Sequence, residues 1–357
     1  MIAPDSAQIQ DASRGWWRWG ICALLFFAAT INYIDRQSIS VAAPVISREF
    51  GFSATDYSWI VFSFLFAYAV MQVVAGGLID RIGSRMGFAI AITGWSIANM
   101  AHAFGSSVLS FSLLRAALGA FEAANYPAAL KVIAEWFPKK ERASAVGLVN
   151  VGPGLGAVLA PPIVSWLIVY WGWQQAFVAT GALGFLWLIA WLRIFHTPDR
   201  HPHLSAEEAA LIRSDADASA QAPPLPWTTL IRDGRMWGLM TSRFVSDGAF
   251  YFFVFWLPKY LADERGFGIA QIGAFGWIPF LAADAGALAG GWACGRLISS
   301  GYSLDASRKI VIWVGAVLAA LALPAAFAST PGVALAFIAA AMFGIQVKAS
   351  SLFTVPA

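Results

Sequence analysis

Residues 54–85 read ATDYSWIVFSFLFAYAVMQVVAGGLIDRIGSR, and this stretch decides the fold class. From Tyr57 to Ile79 it carries no charged side chain, and its Ala, Val, Leu and Phe give no two-residue alternation. About 30 Å of hydrocarbon needs about 20 apolar residues at 1.5 Å rise each, so the run spans a bilayer as a helix. The charges then return together in a short loop, Asp80, Arg81 and Arg85.

The rest of the chain repeats that pattern. Of 357 residues, 59% are hydrophobic and 12% charged, against about 25% charged in an ordinary soluble domain. Apolar runs predict spans at 19–43, 56–79, 86–104, 107–133, 143–170 and 173–195, then at 235–261, 269–295, 308–330 and 332–353. The chain is therefore expected to be an all-α integral membrane protein of about ten helices. The 17 Trp and 27 Phe fit spans with aromatic residues at their ends. The first run is too long for a cleavable signal, so it stays as a start helix. A net charge of +3 gives no reason to expect nucleic acid. Cys22 and Cys294 both lie in apolar runs and read as packing residues, and no metal or cofactor motif is present.

Lys and Arg fix the expected orientation. With the N-terminus inside, that side collects Arg14, Arg18, Arg81, Arg85, Lys139, Lys140, Arg142, five between Arg193 and Arg235, Arg296, Arg308 and Lys309, while Arg48, Lys259 and Arg265 fall outside. The polar stretch 197–234, with five prolines, reads as a cytoplasmic linker holding a short surface helix at 205–213. His196, His201 and His203 in that stretch read as solvated. The organisation is thus a six-helix bundle over 1–196, the linker 197–234, and a bundle over 235–357. The halves echo each other: Gly76-Gly77-Leu78-Ile79-Asp80-Arg81 lies 215 residues before the stretch ending at Arg296, a habit of transporters.

The loop Gly76-x-x-x-Asp80-Arg81-x-Gly83-x-Arg85 resembles the loop signature of the major facilitator superfamily, and Glu135-Trp136-Phe137-Pro138-Lys139-Lys140-Glu141-Arg142 resembles its counterpart after span four. Asn32-Tyr33-Ile34-Asp35-Arg36, Arg115 through Glu122 to Pro127, and Phe255-Trp256-Leu257-Pro258-Lys259 look like the anion:cation symporter family. Gly276-Trp277-Ile278-Pro279-Phe280 through Asp284 is most similar to its bacterial hexuronate and sugar-acid permeases. The resemblance covers residues 19–356 and implies two six-helix bundles. It therefore implies that the second bundle here is incomplete, with about ten of twelve helices. It further implies a monomer in the inner membrane that carries a small organic acid anion with protons, and that is not an enzyme. The two charged loops are expected to gate, through Asp80, Arg81, Arg85, Glu135 and Arg142. At Trp173-Gln174 the chain departs from the family, which shows an Arg there.

Ionisable residues inside spans carry the reading from chemistry. Each costs about 2.5–3.5 kcal/mol at mid-membrane, so such residues face a wet cavity or a partner. They are Asp35, Arg36, Arg115, Glu122, Lys131, Arg243, Asp247, Asp284 and Lys348. Arg115 and Glu122 share a helix face two turns apart and are too distant to pair within that helix. The simplest arrangement pairs Asp35 with Arg115 and turns Arg36 to the cavity. A static buried ion-pair network is the plainer alternative. The resemblance implies that Tyr33 and Arg36 contact the substrate carboxylate, that Asp35 and Glu122 carry protons, and that Arg115 couples them.

Tyr68 is a further substrate candidate, and Arg243 with Asp247 an i,i+4 ion pair. Asp284 and Lys348 are a candidate pair. Gly147 to Gly156, with Pro153, reads as a seam for close helix packing. Pro127 and Pro258 are expected to kink spans four and seven. An antiporter is the rival within transport, because Gly152-Pro153-Gly154-Leu155-Gly156 loosely resembles a span-five antiporter signature; so is a carrier of a non-sugar carboxylate. A membrane enzyme or sensor is the rival outside it, but no histidine neighbours a nucleophile.

Overall fold

The computed structural model describes residues 16–213 and 232–352, and among them every regular element is a helix. In chain order these are α1 (Trp16–Phe50), α2 (Ala54–Ile82), α3 (Ser84–Ala101), α4 (Val108–Glu122), α5 (Asn125–Trp136), α6 (Lys139–Trp171), α7 (Trp173–Ile194), α8 (Ala206–Arg213), α9 (Gly234–Asp263), α10 (Ile269–Phe275), α11 (Ile278–Ser299), α12 (Leu304–Ala319), α13 (Ala322–Ala325) and α14 (Pro331–Leu352). Each expected span is met by one helix or by a broken pair, and α8 falls on the expected surface helix. By length and composition, seven of the helical stretches can cross a membrane. Those formed by α3, by α4 with α5 and by α9 are helical but fall short of that measure.

Proline decides where spans break. A proline removes the N–H owed to the carbonyl four residues earlier and crowds it. The carbonyls concerned for Pro127, Pro279 and Pro324 belong to Ala123, Phe275 and Ala320. There α4 gives way to α5, α10 to α11, and α12 to α13. The expected interruption of span four is therefore a full break just ahead of Pro127. Helix α9, in contrast, runs unbroken through Pro258. The hydroxyl of Ser40 donates to the carbonyls of Val254 (3.0 Å) and Phe255 (2.9 Å), so the group that Pro258 leaves without a partner receives one from another helix. Helices α1 and α6 run through Pro44 and through Pro153, Pro161 and Pro162 as well.

Residues group into two compact units: 1–35, 50–156 and 174–223 form one, and 36–49, 157–173 and 224–357 the other. In the first, α2 and α3 pack against α4, and both touch α5. A Cβ at Gly152 would lie 2.5 Å from the Phe26 carbonyl, and one at Gly156 would strike the Thr30 carbonyl, so α6 lies directly on α1 there. Gly147 faces open space, which shortens the expected seam. Cys22 is buried and points at the Ala145 carbonyl, 3.6 Å away, as a packing residue does.

The linker's first part is docked on this unit. Arg18, buried, pairs with Glu141 at 2.8 Å and Glu208 of α8 at 3.3 Å. His201 lies between Trp17 (ring centroids 4.4 Å) and Trp136 (5.4 Å) and is buried, contrary to the expectation of a solvated histidine. Burial holds its pKa below the usual value, helped by His196 and His203 and opposed by Glu208. Residues 214–231 of the linker lie outside the described residues.

In the second unit α14 packs against α11, α12 and α13, and α9 touches α14 and α10. Arg265 donates to the carbonyls of Ala325 (2.7 Å) and Ala328 (2.8 Å), which caps the end of broken span nine. Arg243 and Asp247 form the expected i,i+4 pair at 2.9 Å. The expected pair of Asp284 and Lys348 is replaced: the charge of Lys348 acts on Asp247, and burial alone shapes the surroundings of Asp284.

Candidate functional site

The first unit holds a buried polar centre. Asp35 of α1, Asn99 of α3, His102 just past its end, and Arg115 and Glu122 of α4 are each fully inaccessible. Asn99 Nδ2 donates to Asp35 Oδ1 at 2.8 Å and to Thr180 Oγ1 of α7 at 2.8 Å, which ties three helices at one amide. The Asp35 carboxylate also interacts with the Thr180 hydroxyl and feels the charges of Glu122 and Arg115. Arg115 lies over the Phe64 ring, 4.9 Å from its centroid, and its charge reaches His102. His102 bonds the Ala98 carbonyl through Nδ1 (2.7 Å) and stacks on Phe177 at 5.0 Å. Glu122 is the last residue of α4, directly before the break, where the helix no longer covers it with a following turn.

Asp35 thus lies within electrostatic range of both Arg115 and Glu122. Asp35 is engaged by an amide and a hydroxyl as well as by charge, a wider set than the single partner expected. Tyr33 and Arg36 stand one turn apart on α1 and so share a face. Arg36 is only 1% exposed, whereas Tyr33 is half-buried. Tyr68, half-buried on α2, accepts from Gln72 at 2.9 Å and stacks on Phe64 at 5.8 Å. It therefore reaches toward Arg115 through an aromatic ring.

The loop residues form a second cluster. Gly83, at φ +88°, occupies the left-handed region that its motif position requires. Gly76 faces open space, so its glycine is not explained by close helix approach here. Asp80 pairs with Lys131 of α5 at 2.9 Å, a cation read from sequence only as a charge within a span. Glu135 accepts from the Ser84 hydroxyl at 2.7 Å. Burial lifts its pKa above the ordinary carboxylate range, Asp80 adds to that, and Ser84 and Lys131 oppose it. Arg142 donates to the Ala134 and Phe137 carbonyls, both at 2.9 Å, and so caps α5. Arg85 reaches the Leu192 carbonyl at 2.5 Å and fastens the end of α7, while Arg81 is exposed.

Asn99 and Thr180 of the buried centre were not named by the sequence reading, and Lys131 was named only as a charge within a span. The available signal was an amide and an ammonium set in otherwise apolar runs, where polar groups are costly.

The model of the Major Facilitator Superfamily matches residues 25–356. The chain belongs to that superfamily. Among curated relatives of this facilitator, the hexuronate transporter of Escherichia coli K12 is 38% identical over 306 residues, covering 84% of this chain and 71% of the relative. The galacturonate transporter of Dickeya chrysanthemi is 35% identical over 307 residues, covering 84% and 88%. Among solved structures, a bacterial homologue of the human lysosomal transporter Spinster, inward-facing and unoccupied, superimposes with a TM-score of 0.74 at 20% identity over 95% of this chain and 75% of that one. That likeness shows the fold. The facilitator is a multi-pass membrane protein whose relatives are transporters rather than enzymes.

Proposed function

We propose that this facilitator imports a sugar acid, most closely a hexuronate, together with protons, by alternating access. The observation that carries the proposal is the burial of two carboxylates, Asp35 and Glu122, within electrostatic range of each other and of Arg115. Two like charges in an apolar bundle are unstable together, so one carboxyl takes up a proton readily, and a nearby guanidinium biases which one. That is what a proton carrier needs. The hexuronate and galacturonate relatives supply the substrate class.

In this reading the Arg36 guanidinium binds the substrate carboxylate bidentately, with the Tyr33 hydroxyl on the same helix face and Tyr68 as a further hydroxyl. Asp35 and Glu122 load and release the proton as Arg115 shifts between them. The Asp80–Lys131 pair and the contacts of Arg85, Glu135 and Arg142 hold the helix ends that move in gating, with Arg81 exposed beside them. The protein works as a monomer in the inner membrane with its N-terminus and linker in the cytoplasm. The test is uptake of labelled galacturonate into proteoliposomes, with and without an inward proton gradient and with other acids as competitors. Gradient-driven accumulation suppressed by glucuronate supports the reading; galacturonate uptake no faster than in empty liposomes overturns it.

A further inference from the structure

Two neutral groups in the bundle of Asp35 and Glu122 act directly on the Asp35 carboxylate, the Asn99 amide and the Thr180 hydroxyl. The Asn99 amide has two hydrogens, and both are committed: one to Asp35 Oδ1 and one to Thr180 Oγ1, each at 2.8 Å. The amide is therefore pinned between α1 and α7 with its donor side toward the carboxylate. Asp35 Oδ2 meets no hydrogen-bond partner among the described residues, which leaves that oxygen as the place for a proton. An amide carries no charge, so it does not compete with substrate or with Arg115 for anions. It does favour the ionised carboxylate over the protonated one, because the bond it donates is stronger to an anion.

We infer that Asn99, held by Thr180, is a positioning residue that sets the pH at which Asp35 gives up its proton. The inference rests on the proton-carrying role proposed for Asp35. The other charged groups acting on Asp35 are Glu122 and Arg115 from α4; His102, just past the end of α3, lies within reach of Arg115, and Tyr33 and Arg36 flank Asp35 in sequence on its own helix. From α2, Phe64 covers Arg115 and Tyr68 stacks behind it. From α7, Thr180 and Phe177 bring no charge. The step is the loss of one proton from the Asp35 carboxyl, and no other bond changes. Asn99 lowers the barrier to that loss by stabilising the carboxylate left behind, while Glu122 opposes it through its charge. The division of work explains how a carboxyl inside an apolar bundle releases its proton while Arg115 is engaged elsewhere.

The experiment measures the pH profile of galacturonate uptake and, separately, counterflow exchange in proteoliposomes for the unaltered protein, Asn99→Leu, Asn99→Ser and Thr180→Val. Asn99→Leu keeps the volume and removes the donor, so the uptake profile moves alkaline by about one pH unit, the worth of one hydrogen bond to a charged group. Counterflow stays within about twofold, a small fraction of the tenfold that corresponds to a 1.4 kcal/mol effect. Asn99→Ser, which retains a donor, moves the profile less. Thr180→Val frees the second amide hydrogen and also takes its own hydroxyl from Asp35, so it moves the profile alkaline as well; where Asn99→Leu fails to fold, Asn99→Ala carries the test. A reduced rate with an unmoved profile in Asn99→Leu, or in Asn99→Ala where that variant fails to fold, makes Asn99 a packing residue and overturns the inference alone. Uptake by the unaltered protein that ignores pH overturns the inference together with the proton-coupled reading beneath it.

Discussion

Replacing Ser40 by alanine tests the account of why one proline breaks its span and another does not. The Ser40 hydroxyl lies 3.0 Å from the Val254 carbonyl and 2.9 Å from that of Phe255, and all three residues are at most 1% exposed. The Phe255 carbonyl still has the Lys259 N–H four residues on, but Pro258 offers nothing to Val254. Ser40→Ala thus strands one buried carbonyl, which costs about 1–3 kcal/mol. In a Pro258→Ala background residue 258 regains its N–H, the carbonyl is satisfied within α9, and the same Ser40→Ala change costs about 0.5 kcal/mol or less, the size of an ordinary neutral substitution. The coupling in this double-mutant cycle is therefore about 1 kcal/mol or more. Denaturant-induced unfolding in mixed micelles, run on the four proteins, reads it directly. Equal costs in the two backgrounds would show that the hydroxyl does not serve the proline and would refute the reasoning.

Other outcomes follow from the same contacts. Arg36→Ala is expected to weaken galacturonate binding about ten- to a hundredfold, and Arg36→Lys to recover little of it, since lysine keeps the charge but loses the planar fork; unchanged affinity by thermal shift would put the carboxylate site elsewhere. Docking of α8 should loosen in acid. The pKa of His201 is held below its usual 6.5, so the docked state binds fewer protons than the undocked one, and docking is full above about 6.5 and lost as pH falls below it. Hydrogen exchange of residues 206–213 should rise between pH 7 and 5 and stay flat in His201→Phe. Glu208→Gln removes one of two anions from buried Arg18 and should raise that exchange at every pH; protection equal to that of the unaltered protein would mean the ion pair does not hold the linker.

Much of the fold was legible because bilayer thickness fixes helix length: ten apolar runs met ten helical stretches, seven of them long and apolar enough to cross a membrane. Where spans break was only half legible. Pro127 and Pro258 look alike in sequence, and the difference lies in Ser40, more than two hundred residues before Pro258. The charged centre was legible for a related reason: Asp35, Arg115 and Glu122 are too costly in lipid to be there singly. Their uncharged partners were not, because Asn99 and Thr180 are ordinary in a span until the fold sets them against a carboxylate. Arg18 was counted only among the inner-side charges, and the docking of α8 shows it as a buried cation between two glutamates. Arg142 was legible as a loop charge, but its partners, the carbonyls at the end of α5, were not.

The central claim is that a buried carboxyl couples sugar-acid movement to protons, and Glu122→Gln tests it most directly. Glutamine keeps the size and hydrogen-bonding shape of the protonated acid but cannot release a proton. Counterflow of labelled galacturonate in proteoliposomes should persist in this variant, because exchange needs no net proton movement. Accumulation driven by an inward proton gradient should be lost, while the unaltered protein accumulates the acid. Full gradient-driven accumulation by Glu122→Gln would contradict the account and leave Glu122 as part of a static buried network.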